Sequence, residues 1–212
     1  FRLAAFRYMV PFIVGRLDPT DIGGIPLLRN TYNGSLTEEI DFAWEHDFGK
    51  GFCSLNGFYA ESTARDKAAD GSENDWPGRL KGFDAAWNQI FLGKFGFRAY
   101  YRYLDVDNSF RPENDRRDHL AKVSLKYFHS SGFYGGLAQS WRYQDMKNDS
   151  VQDEQLWLTD IGIGYKFPNK WGQLDLSLLN IFDSHFNWIV DDFVFTGRNP
   201  AREFLLKLSL YF

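Results

Sequence analysis

The feature that most restricts this chain is an alternation of apolar and polar side chains with a period of two. Phe95, Phe97, Ala99, Tyr101 and Tyr103 are interleaved with Gly96, Arg98, Tyr100 and Arg102. Ala121, Val123, Leu125 and Tyr127 are interleaved with Lys122, Ser124 and Lys126. Trp157, Ile161, Ile163, Tyr165 and Phe167 alternate with Asp160, Gly162, Gly164 and Lys166, and Leu174, Leu176 and Leu178 with Gln173, Asp175 and Ser177. Phe204, Leu206, Leu208, Leu210 and Phe212 alternate with Lys207, Ser209 and Tyr211. Side chains of extended backbone point alternately to two faces, so each segment reads as a strand with one apolar and one wet face. The aromatic and β-branched content agrees. Residues 39–48 are ambiguous alone, because Ile40, Ala43, Trp44 and Phe48 also fall on one side of a helix. The unambiguous segments decide for strands throughout.

Strands are predicted at 1–9, 38–48, 52–61, 79–89, 95–104, 119–128, 133–143, 156–166, 173–181 and 203–212. Most have about ten residues, the length that crosses a bilayer at a tilt. Gly49-Lys50-Gly51, Leu92-Gly93-Lys94, His129-Ser130-Ser131-Gly132 and Pro168-Asn169-Lys170-Trp171-Gly172 make short connections of turn-forming residues. The connections between them, 62–78, 105–118, 144–155 and 182–203, are long and polar. Outer-membrane barrels show this asymmetry, with short periplasmic turns and long extracellular loops. The expectation is an all-β, antiparallel up-and-down transmembrane β-barrel domain of about ten strands over 1–212, with its C-terminus in the periplasm. Ten strands leave an interior nearly filled by side chains, so the segment is expected to belong to a larger barrel. The connection 13–37 is flexible at Gly15, Gly23, Gly24 and Gly34 and apolar at Ile25-Pro26-Leu27-Leu28. It is expected to fold inward as a constriction, or else to remain an extracellular loop.

Composition narrows the function classes. Aromatic residues make up 18% of the chain, with 21 Phe, 11 Tyr and 7 Trp, an excess that suits the girdles of a membrane barrel better than an aliphatic core. No stretch approaches the roughly 18 apolar residues of a membrane helix, so a spanning chain of this kind must span as a closed barrel. A net charge of -4, from 24 basic and 28 acidic residues, leaves no nucleic-acid footprint. The single Cys53 excludes an internal disulfide and a thiolate cluster, and reads as a small strand residue. The chain starts at Phe1 without a signal-peptide pattern, and reads as a mature chain or a piece of a longer one, with a periplasmic domain possible upstream.

Several motifs carry a family likeness. The stripe Phe204, Leu206, Leu208, Leu210, Phe212 resembles the C-terminal assembly signal of outer-membrane barrels. That likeness implies reading by the barrel-assembly machinery, as an edge strand that pairs with another sheet's edge. Leu178-Leu179-Asn180-Ile181-Phe182-Asp183 before a last strand resembles the end of TonB-dependent receptors. Leu17-Asp18-Pro19-Thr20-Asp21-Ile22-Gly23-Gly24, after Arg2-Leu3-Ala4-Ala5-Phe6-Arg7, is similar to porin-like barrels fused to tetratricopeptide repeats, some of which resemble polysaccharide exporters. Neither a plug, a TonB box nor helical repeats accompany these motifs.

The candidate lumen-facing charges are Glu39, Asp41, Glu45, Asp84, Asp160 and Asp175 with Arg98, Arg102, Lys122, Lys126, Arg142, Lys166 and Lys207. Acids concentrate on the second predicted strand and bases on the fifth to seventh. They would either set up a transverse field that selects polar solutes or form a cross-strand ion-pair ladder that keeps the lumen wet and ordered. Trp87 and Trp171 are expected near the periplasmic interface, Trp141 and Trp157 near the extracellular one. His46, His119, His129 and His185 lie in no metal or nucleophile motif, although His185 shares a predicted loop with Asp191-Asp192. Asp105, Asp107 and Asn108 offer calcium ligands without EF-hand spacing. Asn33-Gly34-Ser35 and Asn148-Asp149-Ser150 match a glycosylation pattern, which is discounted in a bacterial setting. No enzyme activity, cofactor or metal is expected. The leading expectation is passage of a solute or polysaccharide across a bacterial outer membrane, the barrel being embedded in its lipid. The alternatives are a ligand-binding TonB-dependent receptor and a surface adhesin anchored by the barrel.

Overall fold

The computed structural model describes residues 1–9, 21–22, 25–26, 35–67, 73–109, 112, 115–148, 152–185 and 201–211. Its strands are β1 (Arg2–Met9), β2 (Asp21–Ile22), β3 (Ile25–Pro26), β4 (Leu36–Asp47), β5 (Gly51–Lys67), β6 (Glu73–Phe91), β7 (Phe95–Asn108), β8 (Arg116–Phe128), β9 (Phe133–Met146), β10 (Glu154–Lys166), β11 (Gly172–Leu179) and β12 (Glu203–Leu210). Among the described residues β2 and β3 pair only with each other. The other ten form one antiparallel up-and-down sheet in the order β1-β4-β5-β6-β7-β8-β9-β10-β11-β12. The sheet is open, with β1 and β12 as its edges.

Every predicted strand is present, and the ambiguous segment lies in β4, where exposed and buried residues alternate from Leu36 to Ala43. The polar connections are shorter than expected. The pairing of β5 with β6 runs on from Ser62–Gly78 to Lys67–Glu73, so most of the expected loop 62–78 is a tall hairpin. Strand likewise extends to Asn108, from Arg116, to Met146 and from Glu154 into the other two connections. These extensions are mostly polar, with Val106 and Met146 buried among them, and they lack the regular apolar alternation of the lower strands. The connection at 13–37, the Leu17–Gly24 motif, Asn33 and Gly34, Asp149 and Ser150, Asp191-Asp192 and Phe212 lie largely or wholly outside the described residues.

The short turns have clear local causes. Gly132 has φ +97°, where a side chain is strained, and an added Cβ would lie 2.5 Å from the Lys166 carbonyl oxygen. Gly164 serves packing instead. It pairs with Tyr134 across the ladder, and the ring lies where a Cβ would otherwise sit, 2.3 Å from Tyr134 Cζ.

Register divides the sheet into two unlike faces. On one face of β7–β10 an aromatic or imidazole ring stands near each end. The two rings are eight positions apart on every strand: 95 and 103, 119 and 127, 133 and 141, 157 and 165. Tyr101, Tyr103, His119, Tyr143, Trp141 and Trp157 touch ring to ring at the long-loop end. At the turn end Phe95 meets Tyr127, Phe133 meets Tyr165, and Phe167 stacks on Trp171 at 4.8 Å. Between the two belts the side chains are chiefly apolar, and many are exposed: Val123, Leu125, Leu137, Ile161 and Ile163 are 43–63% accessible. Gln139 and Thr159, two polar residues in this band, bond to each other, Thr159 Oγ1 donating to Gln139 Oε1 at 2.6 Å. Trp87 is half exposed on the same face and meets Phe97 edge-on.

Candidate functional site

The opposite face is the charged one. Glu39, Asp41, Glu45, Asp84, Arg98, Arg102, Lys122, Lys126, Arg142, Asp160, Lys166, Asp175 and Lys207 all fall on it by register. Side chains crowd one another here, and Glu39, Asp41, Asp84, Ser140 and Gln144 are buried. A cleft of about 930 Å³ runs across it, lined from the β4–β5 turn to β9, so the sheet curls around this face.

The rungs can be read across β7, β8 and β9. Gly96–Lys126–Gly136 is followed by Arg98–Ser124–Ala138, Tyr100–Lys122–Ser140 and Arg102–Leu120–Arg142. Each of these four rungs therefore carries a cation. Two cations are compensated. Asp84 accepts from Arg102 Nη2 at 3.1 Å, Asn56 Nδ2 at 3.0 Å and the Tyr100 hydroxyl at 3.2 Å. Lys122 Nζ pairs with Asp160 at 3.3 Å. Arg98, Lys126 and Arg142 form no ion pair within 4.0 Å among the described residues. Arg142 feels the charge of Asp160, which is already paired, and its Nε is buried without a hydrogen-bond partner.

The remaining charges are held apart from this ladder. Glu39, Asp41 and Glu45 all lie on β4, and the Tyr8 hydroxyl donates to Glu39 at 2.8 Å. Asp175 accepts from Gln173 Nε2 at 3.0 Å and from the Tyr134 hydroxyl. Lys166 stands over the rings of Phe128 and Tyr134, 5.7 and 5.9 Å from their centroids. The charged face is not wet along its whole length, however. Ala60, Leu80 and Val106 make a buried apolar cluster near its long-loop end, with Phe58 and Leu104 against it. Small and aliphatic side chains fill the space there that charges were expected to keep hydrated.

Above the upper ring belt, on the outward face, Arg79 and Lys147 both bond Asp107, and Lys147 also reaches Asp105. The two carboxylates read from sequence as calcium ligands thus hold an ammonium group. Burial alone would push Asp107 up, but hydrogen bonds from Lys147 and Arg79 hold it below the ordinary carboxylate range. Asp105 follows the same balance, with burial opposed by Lys147. Burial would pull Lys147 down, and its two carboxylate partners raise it instead. Depressed carboxylates stabilise this cluster above their unfolded pKa and stop doing so as pH falls through the folded one; the raised lysine does so below its unfolded pKa and stops as pH rises through its folded one. Hydrogen exchange at 105–107 and 145–147, corrected for intrinsic rates, is therefore expected to stay flat between about pH 5 and about pH 9 and to rise outside that window. A flat profile down to about pH 2 would remove the cluster's role.

The turn after β11 shows why Asn180-Ile181-Phe182-Asp183 has its composition. Asn180 and Asp183 have φ of 48° and 55°, values that Asn and Asp tolerate better than most residues. Asn180 Nδ2 donates to the Ser184 carbonyl and its Oδ1 accepts the Ser184 N–H, both at 3.0 Å. Asp183 Oδ1 accepts the backbone N–H of Arg202 at 2.8 Å, which ties the approach to β12 to the end of β11.

Sequence reasoning gave no site role to Tyr100, Ser124, Ser140, Asn56 and Lys50. The first four share the parity of the named charges and were visible by that signal, whereas Lys50 lies in a turn with no parity to read. No family model matches the chain, and neither a curated protein nor a solved structure matches it.

Proposed function

We propose that this chain forms part of the wall of a bacterial outer-membrane β-barrel through which solutes cross. One observation carries the reading: an exposed apolar band between two ring belts covers one face, while the other face is charged. At about 3.3 Å per residue, eight positions span about 26 Å of strand, or about 20 Å of membrane depth at a tilt near 40°. That is close to the apolar band of such barrels, about 25 Å. Aromatic rings at both interfaces, with ion pairs beyond the upper one, suit headgroups and water. In this reading Phe204, Leu206, Leu208 and Leu210 face lipid, and 66%, 66%, 58% and 44% of their surface is accessible. The edges β1 and β12 must be paired in such a barrel, with further strands or with each other, because unpaired backbone groups in hydrocarbon cost several kcal/mol each. The tall β5–β6 hairpin supports a second reading, a receptor whose loops capture a ligand before passage.

The test is expression of the whole protein in a Gram-negative host, fractionation, and recording in planar bilayers. The expected result is a heat-modifiable protein in the outer-membrane fraction with discrete conductance steps. A folded protein that stays soluble and floats with no lipid overturns the proposal.

A further inference from the structure

We infer that the cation ladder on β7–β9 is an anion-selective path, taking solutes that carry two or more phosphate, sulfate or carboxylate groups. This rests on the passage reading above and names the solute class that the path favours. Four successive rungs each present a cation, and rungs on one face lie about 7 Å apart, so the ladder extends about 20 Å along the strands. Three of its five cations, Arg98, Lys126 and Arg142, form no ion pair within 4.0 Å among the described residues, and the Asp160 that Arg142 feels is held by Lys122. They line the same cleft of about 930 Å³, together with Lys122 and Lys50, and Asp47 is the carboxylate on its wall. Hydroxyls of Ser124 and Ser140 lie on the same rungs, as donors to anionic oxygens, while that of Tyr100 is given to Asp84.

The physical case rests on the balance of charge and hydration. An ion-pair ladder built only for order would match its cations with acids, as Arg102 and Lys122 are matched. Instead the acids of β4 lie at the far side of the sheet, across β5 and β6. Rings and rows of Arg and Lys select anions in pores. Spacing them in steps gives an anion several weak sites to move between and no single strong one that would trap it. Guanidinium groups add bidentate recognition of phosphate and carboxylate.

The experiment compares the whole wild-type protein with Arg98→Gln/Lys126→Gln/Arg142→Gln, in planar bilayers under a KCl gradient. Wild type is expected to favour chloride over potassium, with conductance reduced by tripolyphosphate and by citrate on separate addition. Block by one alone tells phosphate from carboxylate preference. In the triple variant the chloride-to-potassium permeability ratio is expected to fall at least about threefold, and half-blocking concentrations to rise about tenfold. If the triple variant does not fold, Arg98→Gln/Lys126→Gln is read instead, since both side chains are exposed. Cation selectivity in wild type, or an unchanged ratio in a folded variant, overturns the inference and leaves passage standing. If wild type conducts nothing, passage fails, and calorimetry with tripolyphosphate in detergent decides the anion site: binding lost in the variant keeps it, and no binding ends it.

Discussion

Leu137→Arg is expected, on the proposed outer-membrane reading, to destabilise the protein by about 2–4 kcal/mol, the cost of a basic side chain near the middle of a barrel's lipid face. Leu137 is 52% exposed on β9, with Leu125 and Ile161 directly across from it on its two neighbours. An exposed leucine on a water-soluble sheet would accept arginine with a change of about 0.5 kcal/mol or less. The same substitution therefore separates the two environments by several-fold in energy. Urea unfolding in lipid vesicles, followed by tryptophan fluorescence, gives the number. Leu205→Arg is the control, because Leu205 shares the charged face with Ser177 and is 49% exposed there. It is expected to change stability by less than about 1 kcal/mol. Equal, small effects at both positions would dissolve the distinction between the faces.

Asp84→Ala is expected to cost about 2 kcal/mol of stability and to change selectivity as well. Asp84 is 8% exposed and accepts from Asn56, Tyr100 and Arg102, so truncation leaves three donors without their acceptor. A fully buried pair would cost more, about 3–5 kcal/mol, but the Arg102 side chain is 44% accessible and water takes up part of the loss. The freed Arg102 becomes a fourth uncompensated cation on the ladder, and the chloride-to-potassium ratio should rise. Asp84→Asn retains shape and an acceptor oxygen, so it should cost roughly half as much while moving selectivity in the same direction. Thermal unfolding in detergent and bilayer recording read the two effects. A stable Asp84→Ala variant with unchanged selectivity would show that Asp84 and Arg102 are independent of each other and of the path.

The sheet was legible wherever burial and exposure alternate, because a period of two leaves a mark on every second letter. Phe95 to Tyr103 and Ala121 to Tyr127 are plain for that reason. The sharing of one face by the named charges was legible from the same parity. The hairpin extension above Gly78 was not. Its residues 62–67 and 73–78 meet no apolar band, so nothing but backbone pairing distinguishes them from a polar loop. Nor was the Ala60–Leu80–Val106 cluster visible, since each residue is unremarkable within its own strand and only register brings them to one place. The unequal treatment of cations on β7–β9 was out of reach too. It depends on which acid lies across from which base, and sequence gives the inventory without the neighbours.

Beyond the reach of β4 and β7, β5 and β6 continue as a ribbon from Ala64–Trp76 to Lys67–Glu73, four rungs with no strand on either side among the described residues. A two-stranded ribbon by itself is marginal in water, so this one borrows its order from the sheet beneath it. Its visible tethers are surface pairs such as Arg65 with Asp75 at 2.8 Å, which hold little. The ribbon is thus a lever arm whose last described rung stands about 20 Å along the strand from the point where Arg79 and Asp107 clasp the sheet. A load caught at its tip would be felt first at that clasp.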